Sequence, residues 1–245
     1  TFHLISLGCA KNLVDSQGLW SLLSQQGFTL VEDPNQAEFI IINTCGFIHD
    51  ARQESLQALQ EFSENKRRGQ KLIAAGCLTE RYRAQLLESV PGIDGLMGTR
   101  DLADILPLMR TLDKHSQPHC EAYFPEHAHI VNHPDLPGYM IQGGSSYLKI
   151  ADGCRRSCAF CAIPGIKGTL VSRPKDDILK DAHALQAAGM KEQFGFFEYA
   201  WIGIPVTLAG MLYMMFLGKY LLPNKQIDAD QEIEQEVEAN ETSAS

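Results

Sequence analysis

The sequence predicts an α/β protein built on a doubly wound parallel sheet, and three patterns along its 245 residues lead to this prediction. Between residues 2 and 112, short apolar runs alternate with amphipathic segments, as strands and helices do in a parallel sheet. A further strand, loop and helix are predicted between residues 147 and 188. Beyond residue 198, about twenty residues carry no charge, which indicates a helix long enough for a bilayer.

The elements of the sheet can be assigned in order from periodicity. Strands are expected at Phe2–Ser6, Phe39–Asn43 and Leu72–Ala75. Helices are expected at Ser16–Gln26, Ala51–Arg67, Glu80–Ser89 and Leu102–Leu112. Gly27, Gly69 and Pro91 follow the first three helices and end them, since glycine favours the turn after a helix and proline cannot continue one.

A linker is predicted at residues 115–144, which are rich in Pro, His and Gly and lack periodicity. A metal site there is an alternative, formed by Cys120 with His115, His119, His127, His129 and His133. No pair of these residues has a familiar ligand spacing, so a solvated linker explains them better. The next unit is predicted to be a strand at Tyr147–Ala151, a cysteine-rich loop and a helix at Asp176–Ala188.

The uncharged segment Tyr199–Gly218 predicts a transmembrane helix. Tyr199 and Trp201 at one end and Tyr220 at the other are placed as interfacial aromatic residues are. The alternative is a buried core helix with Pro205 in its first turns. The acidic tail that follows is poor in apolar residues and is predicted to be disordered.

Charge and cysteine content limit the function classes. The net charge is -9, and the tail from residue 226 supplies seven of these charges through Asp228, Asp230, Glu232, Glu234, Glu236, Glu238 and Glu241. The remainder is close to neutral, so a phosphate-rich partner is not excluded, although no DNA partner is expected. Seven cysteines without a secretory signal predict a reducing, cytoplasmic setting in which thiolates bind metal.

The clearest chemical motif consists of Cys154, Cys158 and Cys161, spaced C-x3-C-x2-C in one loop. Thiolates hold iron–sulfur clusters, and three ligands would leave one iron of a four-iron cluster open to a cofactor. Zinc is the rival metal, but zinc modules usually contain two ligand pairs, and no second pair lies at a suitable distance.

Three further cysteines, Cys9, Cys45 and Cys77, each follow a predicted parallel strand. The carboxyl ends of such strands share one edge of the sheet, where ligands bind. The three thiols could therefore converge on one metal site. The alternative is that they are ordinary core residues at strand ends.

Four segments make the sequence recognisable: ISLGCAKNLVDS, IINTCGFI, AAGCLTERY and YLKIADGCRRSCAFCAIPGIKGTLVSRP. Over about residues 2–192 they resemble the methylthiotransferase family of radical S-adenosylmethionine enzymes. The first segment is similar to the type that modifies an aspartate of a small-subunit ribosomal protein. A tRNA adenosine methylthiotransferase is the alternative within the family.

The resemblance implies two [4Fe-4S] clusters and S-adenosylmethionine as cofactors. Cys9, Cys45 and Cys77 would hold the auxiliary cluster that takes part in sulfur insertion. Cys154, Cys158 and Cys161 would hold the cluster that binds and reductively cleaves S-adenosylmethionine. The implied partners are the ribosomal protein and an electron donor such as flavodoxin or ferredoxin.

The resemblance also implies an order of domains. It gives a methylthiotransferase N-terminal domain at residues 1–114, the linker at 115–144, a truncated radical S-adenosylmethionine partial barrel at 145–192, a transmembrane segment at 193–223 and the acidic tail at 224–245. Residues 193–223 resemble a segment of a divalent-anion:sodium symporter-type permease. We expect the incomplete barrel to impair activity, so a non-catalytic iron–sulfur-binding fragment with a membrane helix is the competing interpretation.

Overall fold

The computed structural model describes residues 1–114, 120–124, 136–190 and 198–218. The chain forms two compact units, residues 1–190 and 191–245. The five histidines of the predicted linker lie outside the described residues, so the linker interpretation and the alternative metal site both stay predictions for them.

The first unit is built on a five-stranded parallel sheet, which confirms the predicted fold class for this part of the chain. Its strands, in spatial order, are β1 (Phe2–Ser6), β2 (Phe39–Thr44), β3 (Lys71–Gly76), β4 (Gly95–Met97) and β5 (Glu121–Tyr123). Every residue of β2 is buried, because this strand lies inside the sheet with both faces covered.

Helices cover both faces of the sheet, as the doubly wound prediction requires. They are α1 (Ala10–Gln25), α2 (His49–Asn65), α3 (Cys77–Tyr82), α4 (Gln85–Ser89) and α5 (Ile105–Lys114), with 3₁₀ turns at Pro34–Gln36 and Leu102–Asp104. The core of α1 and α5 includes Ile41, whereas the core of α2, α3 and α4 includes its neighbour Ile40. Successive strand residues therefore anchor opposite helix layers.

The chain changes direction across the sheet next to β1. After α1 it passes along the outer edge of β1, where Phe2 N–H donates to Thr29 O and Val31 N–H donates to Phe2 O, both at 2.9 Å. It then crosses to form β2 on the other side of β1. The five strands follow in sequence order, but the segment after α1 lies on the opposite side of β1 from β2, so the direction of the chain across the sheet changes at β1. Ligands of open α/β sheets bind beyond the carboxyl ends of the strands at such a point.

The remainder of the first unit consists of two antiparallel strand pairs and two helices. A hairpin joins β6 (Tyr139–Gln142) to β7 (Ser145–Leu148), and β8 (Ala151–Asp152) pairs with β9 (Val171–Ser172). The helices are α6 (Ile163–Lys167) and α7 (Lys175–Ala187). Residues 136–190 thus lack the parallel strand pairs expected of a partial barrel, because β7 pairs with its sequence neighbour β6.

Several element boundaries differ from the sequence-based expectation. The helix α1 begins six residues before the predicted start at Ser16. The predicted helix Glu80–Ser89 is two helices, because Arg83 has a φ of 46°, outside the helical range. Two strands that were not predicted, β5 and β6, lie within the range expected to be a linker.

The second unit contains α8 (Glu198–Tyr213), which continues into a π-helical turn at Met214–Gly218. Its window Tyr199–Phe216 has a mean hydropathy of 1.5, and none of it is buried. By length and composition it is a candidate membrane span. The described residues give no support to the alternative of a buried core helix.

Candidate metal centre

Three cysteines stand beyond the carboxyl ends of three adjacent strands. Cys9 follows β1 and caps α1, Cys45 follows β2, and Cys77 follows β3 as the first residue of α3. Because these strands are parallel and in register, the three cysteines lie at the same edge of the sheet. All three are free thiols; Cys9 is exposed and the other two are buried.

Glycines next to these cysteines allow the three turns to pack closely. A Cβ on Gly8 would lie 2.4 Å from the Cβ of Cys45 and 2.8 Å from its Sγ. A Cβ on Gly46 would lie 2.7 Å from Leu78 Cα. The turn that carries Cys9 therefore reaches the Cys45 side chain because Gly8 has no side chain.

The Asn12 side chain contacts the turns that carry Cys9, Cys45 and Cys77. Its Nδ2 donates to Leu7 O and to Thr44 O, both at 2.9 Å. Its Oδ1 lies 3.6 Å from the Sγ of Cys77. One buried amide therefore contacts residues beside Cys9 and Cys45 and also contacts the third thiol.

Burial affects the ionisation of the third thiol. It raises the pKa of Cys77 to about 11, because a thiolate loses solvation in the protein interior. The Lys167 ammonium acts in the opposite direction, whereas Asp15, Cys45 and Cys9 add to the increase. These four groups therefore lie within electrostatic range of the Cys77 sulfur.

Three further cysteines, Cys154, Cys158 and Cys161, lie in the loop between β8 and α6. Cys154 N–H donates to Gly168 O at 3.1 Å, and Cys161 N–H donates to Cys158 O at 3.0 Å. Arg156 N–H donates to the Cys154 Sγ at 3.4 Å. Cys158 is exposed, and Cys154 and Cys161 are half-buried, so the thiols of this loop are accessible.

The candidate ligands at both sites are all cysteines. Within the described ranges, no group of three His, Cys, Asp or Glu side chains is arranged to hold one metal ion. Each site offers three free thiols, which is the ligand chemistry that iron–sulfur clusters use.

A buried group of charged residues lies beside both cysteine sites. Lys167, only 2% exposed, has its Nζ 2.8 Å from Asp15 Oδ2 and 3.5 Å from Asp152 Oδ2, and also donates to Thr99 Oγ1. Lys149 Nζ lies 2.7 Å from Asp15 Oδ1 and 2.7 Å from Asp152 Oδ2. We call these four ionised residues the Lys–Asp cluster.

Comparison with known proteins identifies what the chain is related to. Residues 1–98 match the family described as Uncharacterized protein family UPF0004. The chain is 39% identical over 191 residues to the ribosomal protein uS12 methylthiotransferase RimO of Thermoanaerobacter sp. (strain X514). Over that length, the chain is similar to the RimO methylthiotransferases.

Two further RimO proteins give similar values. Identity is 39% over 192 residues with that of Bdellovibrio bacteriovorus (strain ATCC 15356 / DSM 50701 / NCIMB 9529 / HD100) and 40% over 191 residues with that of Chlorobium luteolum (strain DSM 273 / BCRC 81028 / 2530). These three alignments cover 77%, 78% and 77% of this chain but only 43%, 42% and 40% of the relatives. The chain therefore spans less than half the length of the RimO proteins it matches. None of these relatives supports the permease-like interpretation of residues 193–223.

The sequence points to the cysteines but not to the Lys–Asp cluster. Asp15, Asp152 and Lys167 all occur within the segments that carry the family resemblance. Their pairing joins residues 152 positions apart, as between Lys167 and Asp15. One sequence contains no signal for such a pairing, because a Lys or Asp in a loop or helix is usually solvated.

Proposed function

We propose that this chain carries the two iron–sulfur sites of a radical S-adenosylmethionine methylthiotransferase whose substrate is an aspartate of ribosomal protein uS12. The observation that carries the proposal is the presence, in one compact unit, of three thiols at one sheet edge and three more in the C-x3-C-x2-C loop. The relatives' name, ribosomal protein uS12 methylthiotransferase, supports the substrate.

Each set of cysteines has its own role in this proposal. Cys154, Cys158 and Cys161 would hold the [4Fe-4S] cluster that supplies S-adenosylmethionine cleavage. Cys9, Cys45 and Cys77 would hold the auxiliary [4Fe-4S] cluster. When bound, these groups supply the one-electron cleavage of S-adenosylmethionine and the sulfur chemistry of methylthio transfer.

The protein's own groups bind and orient. The thiolates are the ligands, and the Arg156 N–H that donates to Cys154 Sγ stabilises negative charge on that sulfur. The Ser55 hydroxyl accepts from Cys45 N–H at 2.9 Å and donates to Cys45 O at 3.1 Å, which fixes the backbone of that ligand. Ligands held in this way need little rearrangement when a cluster binds.

The proposal includes a setting and an electron source. One-electron cleavage requires a low-potential reductant, for which a flavodoxin or ferredoxin in the cytoplasm is suitable. We also propose that α8 contacts a membrane, because its apolar side chains are exposed along Tyr199–Phe216.

Counting clusters in cysteine variants tests the two sites separately. After anaerobic reconstitution, iron and sulfide analysis of the full chain should give two [4Fe-4S] clusters. The triple variant Cys9→Ala, Cys45→Ala, Cys77→Ala should lose one of them, and so should the variant Cys154→Ala, Cys158→Ala, Cys161→Ala. Cys120→Ala is the matched control, because it removes the seventh cysteine and should retain both clusters.

The same samples test the enzymatic part of the proposal. With dithionite and S-adenosylmethionine, the parent chain should release 5′-deoxyadenosine, and the variant of the C-x3-C-x2-C loop should release none. With uS12 present, the parent should add a methylthio mass increment to the ribosomal protein.

A non-catalytic iron–sulfur-binding fragment is the second candidate function. It is favoured by the antiparallel pairing of residues 136–190, which lacks the strands of a barrel around S-adenosylmethionine. Two clusters without 5′-deoxyadenosine would establish this second candidate. Iron content that is unchanged by either triple variant would refute both candidates.

A further inference from the structure

The buried ammonium of Lys167 is the starting point. Lys167 is the last residue of α6, and α6 packs against α3, whose first residue is Cys77. The Lys167 side chain has two partners in the sheet domain, Asp15 and Thr99. Both lie at the sheet edge that carries Cys77. A full positive charge is therefore held inside the protein next to the proposed auxiliary site.

The charges of the Lys–Asp cluster balance, because it contains two ammonium groups and two carboxylates. The half-exposed Lys11, whose charge water can solvate, lies 3.5 Å from Asp152 Oδ1. Because α6 packs against α3, the Lys167 ammonium lies near any anion that Cys77 binds.

A cluster bound by three thiolates is such an anion. One-electron reduction makes it more negative, so a fixed cation nearby stabilises the reduced form more than the oxidised form. The reduction potential of iron–sulfur clusters depends on net charge and on hydrogen bonds to the sulfurs. Asp15, which contacts the Lys167 ammonium, must act in the opposite sense.

We infer that Lys167 is a positioning residue whose fixed positive charge raises the reduction potential of the metal centre held by Cys9, Cys45 and Cys77. The inference rests on the proposed function, which supplies that centre. The electron comes from the external low-potential donor, and no bond to Lys167 forms or breaks.

The same helix end also contacts the second cysteine loop. Gly168, the residue after Lys167, accepts the hydrogen bond from Cys154 N–H at 3.1 Å. Replacement of Lys167 could therefore affect both clusters. The potential of the auxiliary centre is best measured in a full chain that carries Cys154→Ala, Cys158→Ala and Cys161→Ala, so that only one cluster is present.

The test is a mediated redox titration of this single-cluster chain, followed by electron paramagnetic resonance. Lys167→Met should lower the midpoint potential by an amount equal to at least a tenfold change in the reduction equilibrium, about 59 mV for one electron. Lys167→Arg keeps the charge and should stay near the parent. Asp15→Asn removes a carboxylate and should raise the potential.

The opposite signs separate an electrostatic role from a structural one. Both Lys167→Met and Asp15→Asn break the Lys–Asp cluster, so general loosening would move the two potentials in the same direction. The double variant leaves the Lys149–Asp152 pair intact, and its potential should lie between those of the single variants. If Lys167→Met alone fails to fold, the potential of the double variant can be compared with that of Asp15→Asn instead.

Lys66→Met is the matched control. Lys66 is also a part-buried lysine paired with an aspartate, Asp94, at 2.6 Å, but Asp94 lies just before β4, at the other edge of the sheet. Its replacement should leave the potential unchanged. The inference would be overturned if Lys167→Met and Lys66→Met shifted the midpoint potential equally, or if Lys167→Met and Asp15→Asn shifted it in the same direction. Either result would leave the proposed function standing. If the parent chain assembled no cluster, both the proposed function and this inference would be refuted.

Discussion

Single glycines decide how closely the turns at the candidate site approach one another. Gly76, directly before Cys77, has a φ of 98° and a ψ of -155°, a conformation almost confined to glycine. A Cβ there would lie 2.3 Å from Asn43 Oδ1 and 2.6 Å from Thr44 O. Both the backbone conformation and the lack of space therefore require glycine.

Gly76→Ala should destabilise the chain more than Gly69→Ala. Gly69 also has a positive φ, 89°, but no atom lies within 4 Å of the position where its Cβ would be. Both variants introduce backbone strain of about 1–3 kcal/mol, and only Gly76→Ala adds overpacking of about 1–3 kcal/mol. Urea denaturation followed by circular dichroism measures the difference. Equal midpoints for the two variants would contradict the packing argument.

Residue type, position along the chain and the family resemblance together point to the side chains of the candidate site, but not to what surrounds them. The six cysteines stand out because thiols are rare and their position after strands or in one loop is visible in the sequence. Asn12 was not predicted, although it contacts the Cys77 sulfur, because an asparagine in a helix usually faces solvent. Its function depends on the distance between three turns, which only the folded sheet defines.

At the scale of elements, periodicity predicted the long helices and the central strands well. The strands β1 and β2 begin where expected, and α7 agrees to within one residue at each end. The short strands β4 and β5, of three residues each, were missed because three residues show no periodicity. The break at Arg83 was missed because its side chain is compatible with a helix, and only its φ of 46° separates α3 from α4.

The exposed apolar helix α8 leads to a prediction at the same scale. Leu208→Lys should move the chain from the membrane fraction to the soluble fraction, because a lysine near the centre of a span costs about 2.5–3.5 kcal/mol. Leu208→Ala is the matched control and should stay with the membrane, since it introduces no charge. Fractionation of expressing cells, with an alkaline wash to remove peripheral proteins, measures both. A parent chain that is fully soluble without detergent would contradict the membrane assignment.

For the first unit as a whole, the Lys–Asp cluster joins the sheet domain to the segment that carries the second cysteine loop. Asp15 of α1 pairs with Lys149, 134 residues later, and with Lys167, 152 residues later. Residues that are distant in sequence are thereby fixed beside one another. Removing one member of a buried ionic group leaves the other charges uncompensated, which typically costs about 3–5 kcal/mol.

The ionisation of Asp15 makes the stability that the Lys–Asp cluster confers depend on pH. Burial opposes ionisation of the carboxyl group, but the ammonium groups of Lys167 and Lys149 more than offset this effect, so the pKa of Asp15 is lowered below its ordinary value of 3.8. A carboxyl group with a lowered pKa in the folded state stabilises the protein fully above its unfolded pKa. This stabilisation is lost as the pH falls from about 4 through the lower folded pKa.

Asp15→Asn should therefore lower the free energy of unfolding at pH 7 by about 3 kcal/mol, near the lower end of that range because Asp152 still pairs with both lysines. As the pH falls from about 5 to about 2, the parent should lose more stability than the variant, since asparagine does not titrate, so their unfolding free energies should converge. Asp50→Asn is the control: that carboxyl group is 94% exposed and its replacement should leave the pH profile unchanged. Urea titrations at several pH values measure all three chains. If the unfolding free energies of the parent and Asp15→Asn changed in parallel across this pH interval, Asp15 would not be the group responsible for the pH dependence.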